Sequence, residues 1–242
     1  MNYNLNNMKL KKLLLFLAVL ILFIGCDNYY MICSLNQFYI EKNIVLIDRI
    51  EGSWMAKSVS PRNDSKSSSN WTHVDTTTTW MIKRFISKEI VKNKKGKDST
   101  LFKPQNYYIA KLTSISDSAN YAFKVVLFKV KNTLYADFIP VDKEGLMKGL
   151  LIANSYFDVH TLARLTINHN EIKLSWLGAD CVKEMIEEKR VRVNYLWVKQ
   201  TNKFLLTASP GELAVMIERY GNQTRFIDWE NQKAQLRLTS LK

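Results

Sequence analysis

Three cysteines, three histidines, eight glycines and four prolines are all that 242 residues hold of those types. No CxxC pair and no Cys/His cluster occurs, so zinc is not supported and no metal or cofactor is expected. Nothing resembles a nucleophile elbow, a P-loop or an HExxH helix, and so no catalytic residue is assigned and no enzyme is expected. The histidines, His73, His160 and His169, are scattered. His160 and Asp158 alternate onto one face of a strand, where the pair reads as an exterior hydrogen bond rather than an acid–base couple. Low Gly and Pro beside abundant Lys and Asn look like a coding bias.

Long apolar runs are scarce too. One extends unbroken from Leu13 to Ile24. As a helix it would rise roughly 18–20 Å, short of the ~30 Å hydrocarbon core, which makes it a poor membrane span. Behind Lys9, Lys11 and Lys12 it has the layout of a signal peptide, with Met8 a plausible start. Acids are outnumbered, 22 against 35 Lys+Arg, for a charge of +13. A basic balance serves nucleic acid, anionic membrane or nothing in particular. No nucleic-acid motif is present, and an exported chain would not meet nucleic acid.

The end of the apolar run, Leu22-Phe23-Ile24-Gly25-Cys26, resembles the lipobox of bacterial lipoproteins, in which a small residue precedes a Cys that receives a diacylglycerol. Gly25 and Cys26 match, while Phe23 stands where Leu is usual. The resemblance implies cleavage before Cys26, lipidation of Cys26, and attachment to a membrane of the bacterial cell envelope, facing the periplasm or the outside. Several acyl chains anchor stably where one would not. Removing 25 residues and three lysines from 242 residues and +13 leaves 217 residues and about +10, enough for one domain with a full core. The organisation expected is 1–25 signal peptide, 26–43 lipidated N-terminus and tether, and 44–242 a single β domain. In an oxidising envelope Cys33 and Cys181 are open to pairing with one another or to standing as two small hydrophobes.

The tether carries apolar residues of its own (Tyr29, Tyr30, Met31, Phe38, Ile40) and is expected to be partly packed. From there alternation at period two predicts strands. "IEGSWMA" puts Ile50, Gly52, Trp54 and Ala56 on one face, and "TTWMIKRFI" sets Trp80 and Ile82 opposite Met81 and Phe85. Between them residues 58–77 read as a polar loop, and "KEIVKNKKGKDSTLFKP", with Lys92, Lys94, Lys95 and Lys97, reads as a second. "YAFKVVLFKV" turns at Lys131-Asn132 into "TLYADFIP", a hairpin. "FDVHTLARLTI" alternates Phe157, Val159, Ala163, Leu165 and Ile167, and turns at "NHN" into "EIKLSWLG" with Ile172, Leu174 and Trp176 inward. Two helices interrupt. "ADCVKEMIEEKR" spaces Val182, Met185 and Ile186 on one side. "SPGELAVMIERYG" has Ser209 as N-cap, Pro210 at N1, Glu212 at N3, a stripe of Leu213, Met216, Ile217 and Tyr220, and Gly221 as its stop. Further strands are read in "VRVNYLWVK", "KFLLTAS" and, closing, "AQLRLTSL".

Eight to ten short strands joined mostly by turns predict a mainly β fold, an antiparallel barrel or sandwich with two short helices. "EGSW" is similar to the Gly-x-Trp start of lipocalins and related calycin barrels. "YAFKVVLFKVKNTLYADFIP", "VHTLARLTINHNEIKLSWLGADCVKEMIEEKR" and "LLTASPGELAVMIERYG" resemble a set of uncharacterised bacterial envelope proteins built on a small lipocalin-like β-barrel. The resemblance covers about residues 50–237. It implies a lipocalin-like barrel with Trp54 packed at its closed end, and carries no activity. By analogy with such barrels, a small hydrophobic ligand would be lined by Trp80, Tyr108, Phe123, Phe138 and Trp176. The alternative is a non-catalytic interaction or structural module, whose lysines at 92–97 could meet anionic headgroups or an envelope protein.

Overall fold

A computed structural model describes residues 31–58, 78–92, 98–114, 120–141, 159–198, 203–230 and 235–241. The chain divides into two compact units. Met1–Tyr29 with Trp197–Lys203 lies almost wholly outside the described residues, and Tyr30–Leu196 with Phe204–Lys242 holds the fold.

Seven strands follow one another as antiparallel neighbours: β2 (Gly52–Ser58), β3 (Thr78–Lys92), β4 (Asp98–Ser114), β5 (Asn120–Val130), β6 (Thr133–Pro140), β7 (His160–Ile167) and β8 (Glu171–Trp176). The ring is closed by β11 (Gln235–Ser240), which pairs with β8 along Gln235–Thr239 and with β2 along Leu236–Ser240. The result is an eight-stranded antiparallel barrel of lipocalin-like type, as the resemblance implies, the alternation alone having left barrel or sandwich open; its circumference has no open edge. Between the seventh and eighth barrel strands the chain makes α1 (Ala179–Glu187), β9 (Tyr195–Val198), β10 (Lys203–Leu206) and α2 (Pro210–Tyr220).

Side chains pointing into the barrel form one core, including Trp54, Ala56, Trp80, Ile82, Tyr108, Val125, Leu127, Phe138, Leu165, Ile172, Leu174 and Leu238. A second core lies outside the wall of β5, β6 and β7, where Val126, Phe128, Tyr135 and Leu162 meet Val182 and Met185 of α1 and Leu213, Met216 and Ile217 of α2. The capping box of Ser209 and Glu212 starts α2 as its sequence predicts, and Pro210 stands in the first turn. Gly221 stops the helix as its sequence predicts, but not in the conformation usual for a glycine there. It is not left-handed (φ −59°). A Cβ there would sit 2.5 Å from the Tyr135 hydroxyl and 2.6 Å from the Ile217 carbonyl, so the close approach of helix to wall demands glycine.

The N-terminal segment belongs to the fold. Ile32, Phe38 and Tyr39 are buried in the second core. β1 (Cys33–Ser34) pairs with β7 at Thr161 and His160, next to the stretch of β7 that β8 covers, and runs parallel to β10. Residues 44–50 then close one end of the barrel. Ile44 bridges Phe128, the Val45 amide donates to the Leu127 carbonyl, and the Ile47 amide donates to the buried Tyr108 hydroxyl at 2.7 Å. Trp54 donates from its indole to the Ile50 carbonyl at 3.0 Å and so packs at this closed end.

One predicted loop is mostly strand. Residues 88–104 were expected to be polar connection, yet β3 and β4 stay in register from Ile86↔Pro104 to Lys92↔Asp98. Cross-strand pairing outweighs the lysine content here, where Ile86, Ile90, Val91, Thr100 and Phe102 supply β-branched and aromatic side chains. The polar loop expected at 58–77 lies, apart from Ser58 at the end of β2, outside the described residues.

Candidate functional site

The five aromatic residues expected to line a ligand all point into the barrel. Tyr108, Trp80 and Phe138 are buried, and Phe123 and Trp176 pack against them, half-buried. They meet one another. The Phe138 ring is 4.6 Å from Trp176, 6.3 Å from Trp80 and 6.4 Å from Phe123, centroid to centroid, the last two edge-on. Those separations lie in the range of favourable aromatic contact. Phe138 is thus the hub of a ring cluster inside the barrel. Tyr108 is committed elsewhere, its hydroxyl receiving the Ile47 amide, and burial pushes its pKa up.

His160 has a partner among the described residues; Asp158 lies outside them. Asp137 of β6 faces the outer core and places Oδ2 2.7 Å from His160 Nδ1. The same oxygen accepts the Phe38 amide at 3.4 Å. Asp137 is fully buried, and its Oδ1 has no hydrogen-bond partner among the described residues. Burial raises the carboxyl above its usual range, opposed by the hydrogen bond and charge of His160, the Phe38 amide and Lys124. The pair fastens the N-terminal segment to the barrel wall. Sequence reasoning missed Asp137 because it sits inside "TLYADFIP" and meets His160 only through the β6–β7 register, 23 residues on.

A third feature lies outside the barrel. A cleft of about 400 Å³ runs between α2 and residues 189–193. Val191, Val193, Val215 and Met216 supply its apolar surface, and Lys189, Arg190, Arg192 and Arg219 its charge. Arg190 is engaged by Glu188 at 2.7 Å. Among the described residues no carboxylate pairs with Lys189, Arg192 or Arg219. Lys189 takes a left-handed φ of 59° in the turn that ends α1, where the amides of Arg190 and Val191 return to the Met185 carbonyl. Glu212, also at the cleft, is held low by the Ser209 amide and hydroxyl of the cap. The cleft is therefore net cationic. Nothing in the alternation of "EKRVRV" marks it, since α2 supplies the other wall.

Cys33 and Cys181 are not bridged. The Cys181 thiol donates to the Phe226 carbonyl at 3.3 Å, and burial, then Glu184 and Asp180, push it to about 11. Cys33 sits on β1, its thiol 4.0 Å from the Met31 carbonyl. Both behave as small packed side chains. Cys26, the signal segment and His73 lie outside the described residues. His169 is exposed in the β7–β8 turn.

Fold and sites together define an eight-stranded antiparallel barrel with a helical cover on one wall, a ring-packed interior and a cationic external cleft. In comparison with known proteins the chain matches no family model, no curated protein and no solved structure at a significant level.

Proposed function

We propose that this is a lipid-anchored protein of the bacterial envelope, attached through Cys26, whose barrel is a packed scaffold for a non-catalytic binding module. The observation that carries this reading is the ring cluster around Phe138. An eight-stranded barrel is just wide enough to be filled by its own side chains or to hold one small ligand, and here the rings take that space. A lipophile at this level would have to displace rings already in contact. The Asp137–His160 pair supports the non-catalytic reading, since it is spent on the N-terminal segment beneath the surface. Binding then falls to the outer face, where the cleft offers two guanidiniums and an ammonium over an apolar floor. Arg pairs there favour carboxylate or phosphate groups of a partner.

Native mass spectrometry tests the scaffold reading. The chain from Asp27 onward keeps every described element and is secreted without Cys26. A bare protein mass, unchanged after incubation with envelope lipid extract, is expected. A stoichiometric extra mass removed by organic solvent would overturn the scaffold and restore a ligand carrier. Lipidation is read separately, as the acyl mass on the N-terminal peptide of the mature full chain.

A further inference from the structure

β3 and β4 outrun the barrel. β2 accompanies β3 no further than Ile82, and β5 accompanies β4 only from Tyr108 onward. Beyond a bulge between Arg84 and Ile86, seven register pairs from Ile86↔Pro104 to Lys92↔Asp98 form a two-stranded arm. Its base is tied. The Arg84 amide donates to Glu51, the Arg84 guanidinium donates to the Gln105 carbonyl, and Phe85 stacks on Tyr107 at 5.1 Å. Following the antiparallel register around the wall, the arm leaves the closed end, opposite to the end where β1 joins β7.

The arm's composition is unusual for a solvated ribbon. Ile90 is 77% exposed, Phe102 59% and Ile86 50%, with Leu101 and Val91 also exposed. A lone two-stranded ribbon is marginal in water, and clustered exposed apolar residues mark contact surfaces. Residues 86–104 also carry six lysines against Glu89 and Asp98. Register puts Ile86, Lys88, Ile90 and Lys92 on one face with Asp98, Thr100, Phe102 and Pro104, Asp98 lying across from Lys92. The Lys88 ammonium stands over the Phe102 ring at 5.7 Å, its stem along apolar surface and its charge outward.

Three occupants can be compared. A second copy brings the same excess of lysines and is repelled. Strand addition along the arm's edges is opposed by the bulge, by Pro104 and by the edge lysines, the devices that keep edges from pairing. An anionic lipid surface complements both properties at once: apolar side chains enter the headgroup boundary while lysines stay at phosphate level. We propose that the arm is a membrane-contact element, whose Ile86–Ile90–Phe102 face lies in the interface of an anionic bilayer with Lys88 and Lys92 on the headgroup phosphates. This deepens the envelope reading, on which it rests only for having a membrane within reach.

The test is flotation of the chain from Asp27 onward with vesicles of equimolar phosphatidylglycerol and phosphatidylcholine, against pure phosphatidylcholine. Salt-sensitive binding to the anionic vesicles alone is expected. Lys88→Ala and Lys92→Ala should each lower the partition coefficient about fivefold. Ile90→Asp should abolish binding, and Ile90→Ser, which adds no charge, should weaken it. Since the side chain is largely exposed, the thermal transition should not move. Arg192→Ala with Arg219→Ala, in the cleft, should leave partition within twofold. No binding to anionic vesicles, or binding lost through the cleft variant and kept by the arm variants, would overturn the proposal. Because this chain lacks Cys26, the result is independent of whether the native protein is acylated.

Discussion

If the barrel is filled by its own rings, truncating the hub should be costly in a defined way. Phe138 is 3% exposed and touches Trp80, Phe123 and Trp176. Phe138→Ala removes a ring whose burial is worth roughly 1.5–3 kcal/mol. It also forfeits three aromatic contacts of about 0.5–1.5 kcal/mol each. Surrounding rings relax in part, so a net loss near 4 kcal/mol is expected, within the ~3–5 kcal/mol usual for buried Phe→Ala. Urea denaturation followed by tryptophan emission measures it. With m of about 2–3 kcal/mol/M the midpoint should fall by roughly 1.3–2 M at unchanged m. The cavity left is apolar, so benzene should recover part of the loss by binding the native state. A loss below about 1.5 kcal/mol would refute the reasoning, because it would mean that the ring already borders open space.

Gly221→Ala sets helix propensity against packing. Propensity alone predicts a gain of about 1 kcal/mol. The clash with the buried Tyr135 hydroxyl predicts a loss of about 1–3 kcal/mol, and chemical denaturation gives the sign. Asp137→Asn should flatten the dependence of stability on pH. The folded-state carboxyl is raised, so its stabilising contribution is complete below the unfolded value near 3.9 and is lost as pH rises through the folded value. Unfolding free energies at pH 4 and pH 7 should therefore differ less in the variant than in the parent. Arg192→Glu with Arg219→Glu should abolish any chemical-shift response of the Val193 and Val215 methyls to inorganic phosphate, a response expected in the parent at low salt.

What was legible in the sequence was local. Ile50, Trp54 and Ala56, or Ile172, Leu174 and Trp176, share a face because strand side chains alternate, and all of them point into the barrel. The Ser209–Glu212 box is likewise written in four consecutive residues. What was not legible depends on register between distant segments. Asp137 meets His160 and the Phe38 amide through three separate stretches of chain. The arm was misread because lysine density signals a loop, whereas pairing to a β-branched partner strand decides the outcome. Gly221 was assigned the commoner reason for a glycine after a helix, and the real one required knowing that Tyr135 lies opposite.

One burial pattern locates the second core as well as the first. In β3, Trp80 and Ile82 are buried while Met81 is exposed, the signature of a wall with water on one side. In β5, Val125, Val126, Leu127 and Phe128 are all buried: Val125 and Leu127 inside the barrel, Val126 and Phe128 beneath the outer layer. An unbroken apolar run within an otherwise alternating sheet therefore marks where another layer must lie. "YADF" of β6 repeats the pattern with Asp137 in the run, buried because its wall is covered. The cover that shelters β5–β7 is the physical reason the barrel can carry a buried carboxylate on its outer face, and the reason that carboxylate needs His160 and the Phe38 amide. Phe38 and Tyr39 of the N-terminal segment belong to the same cover, and without it Val126, Phe128 and Tyr135 would form an exposed apolar patch. The helices are thus part of what makes this barrel a stable body, and the surfaces left free to meet a partner are the cleft beside α2 and the arm.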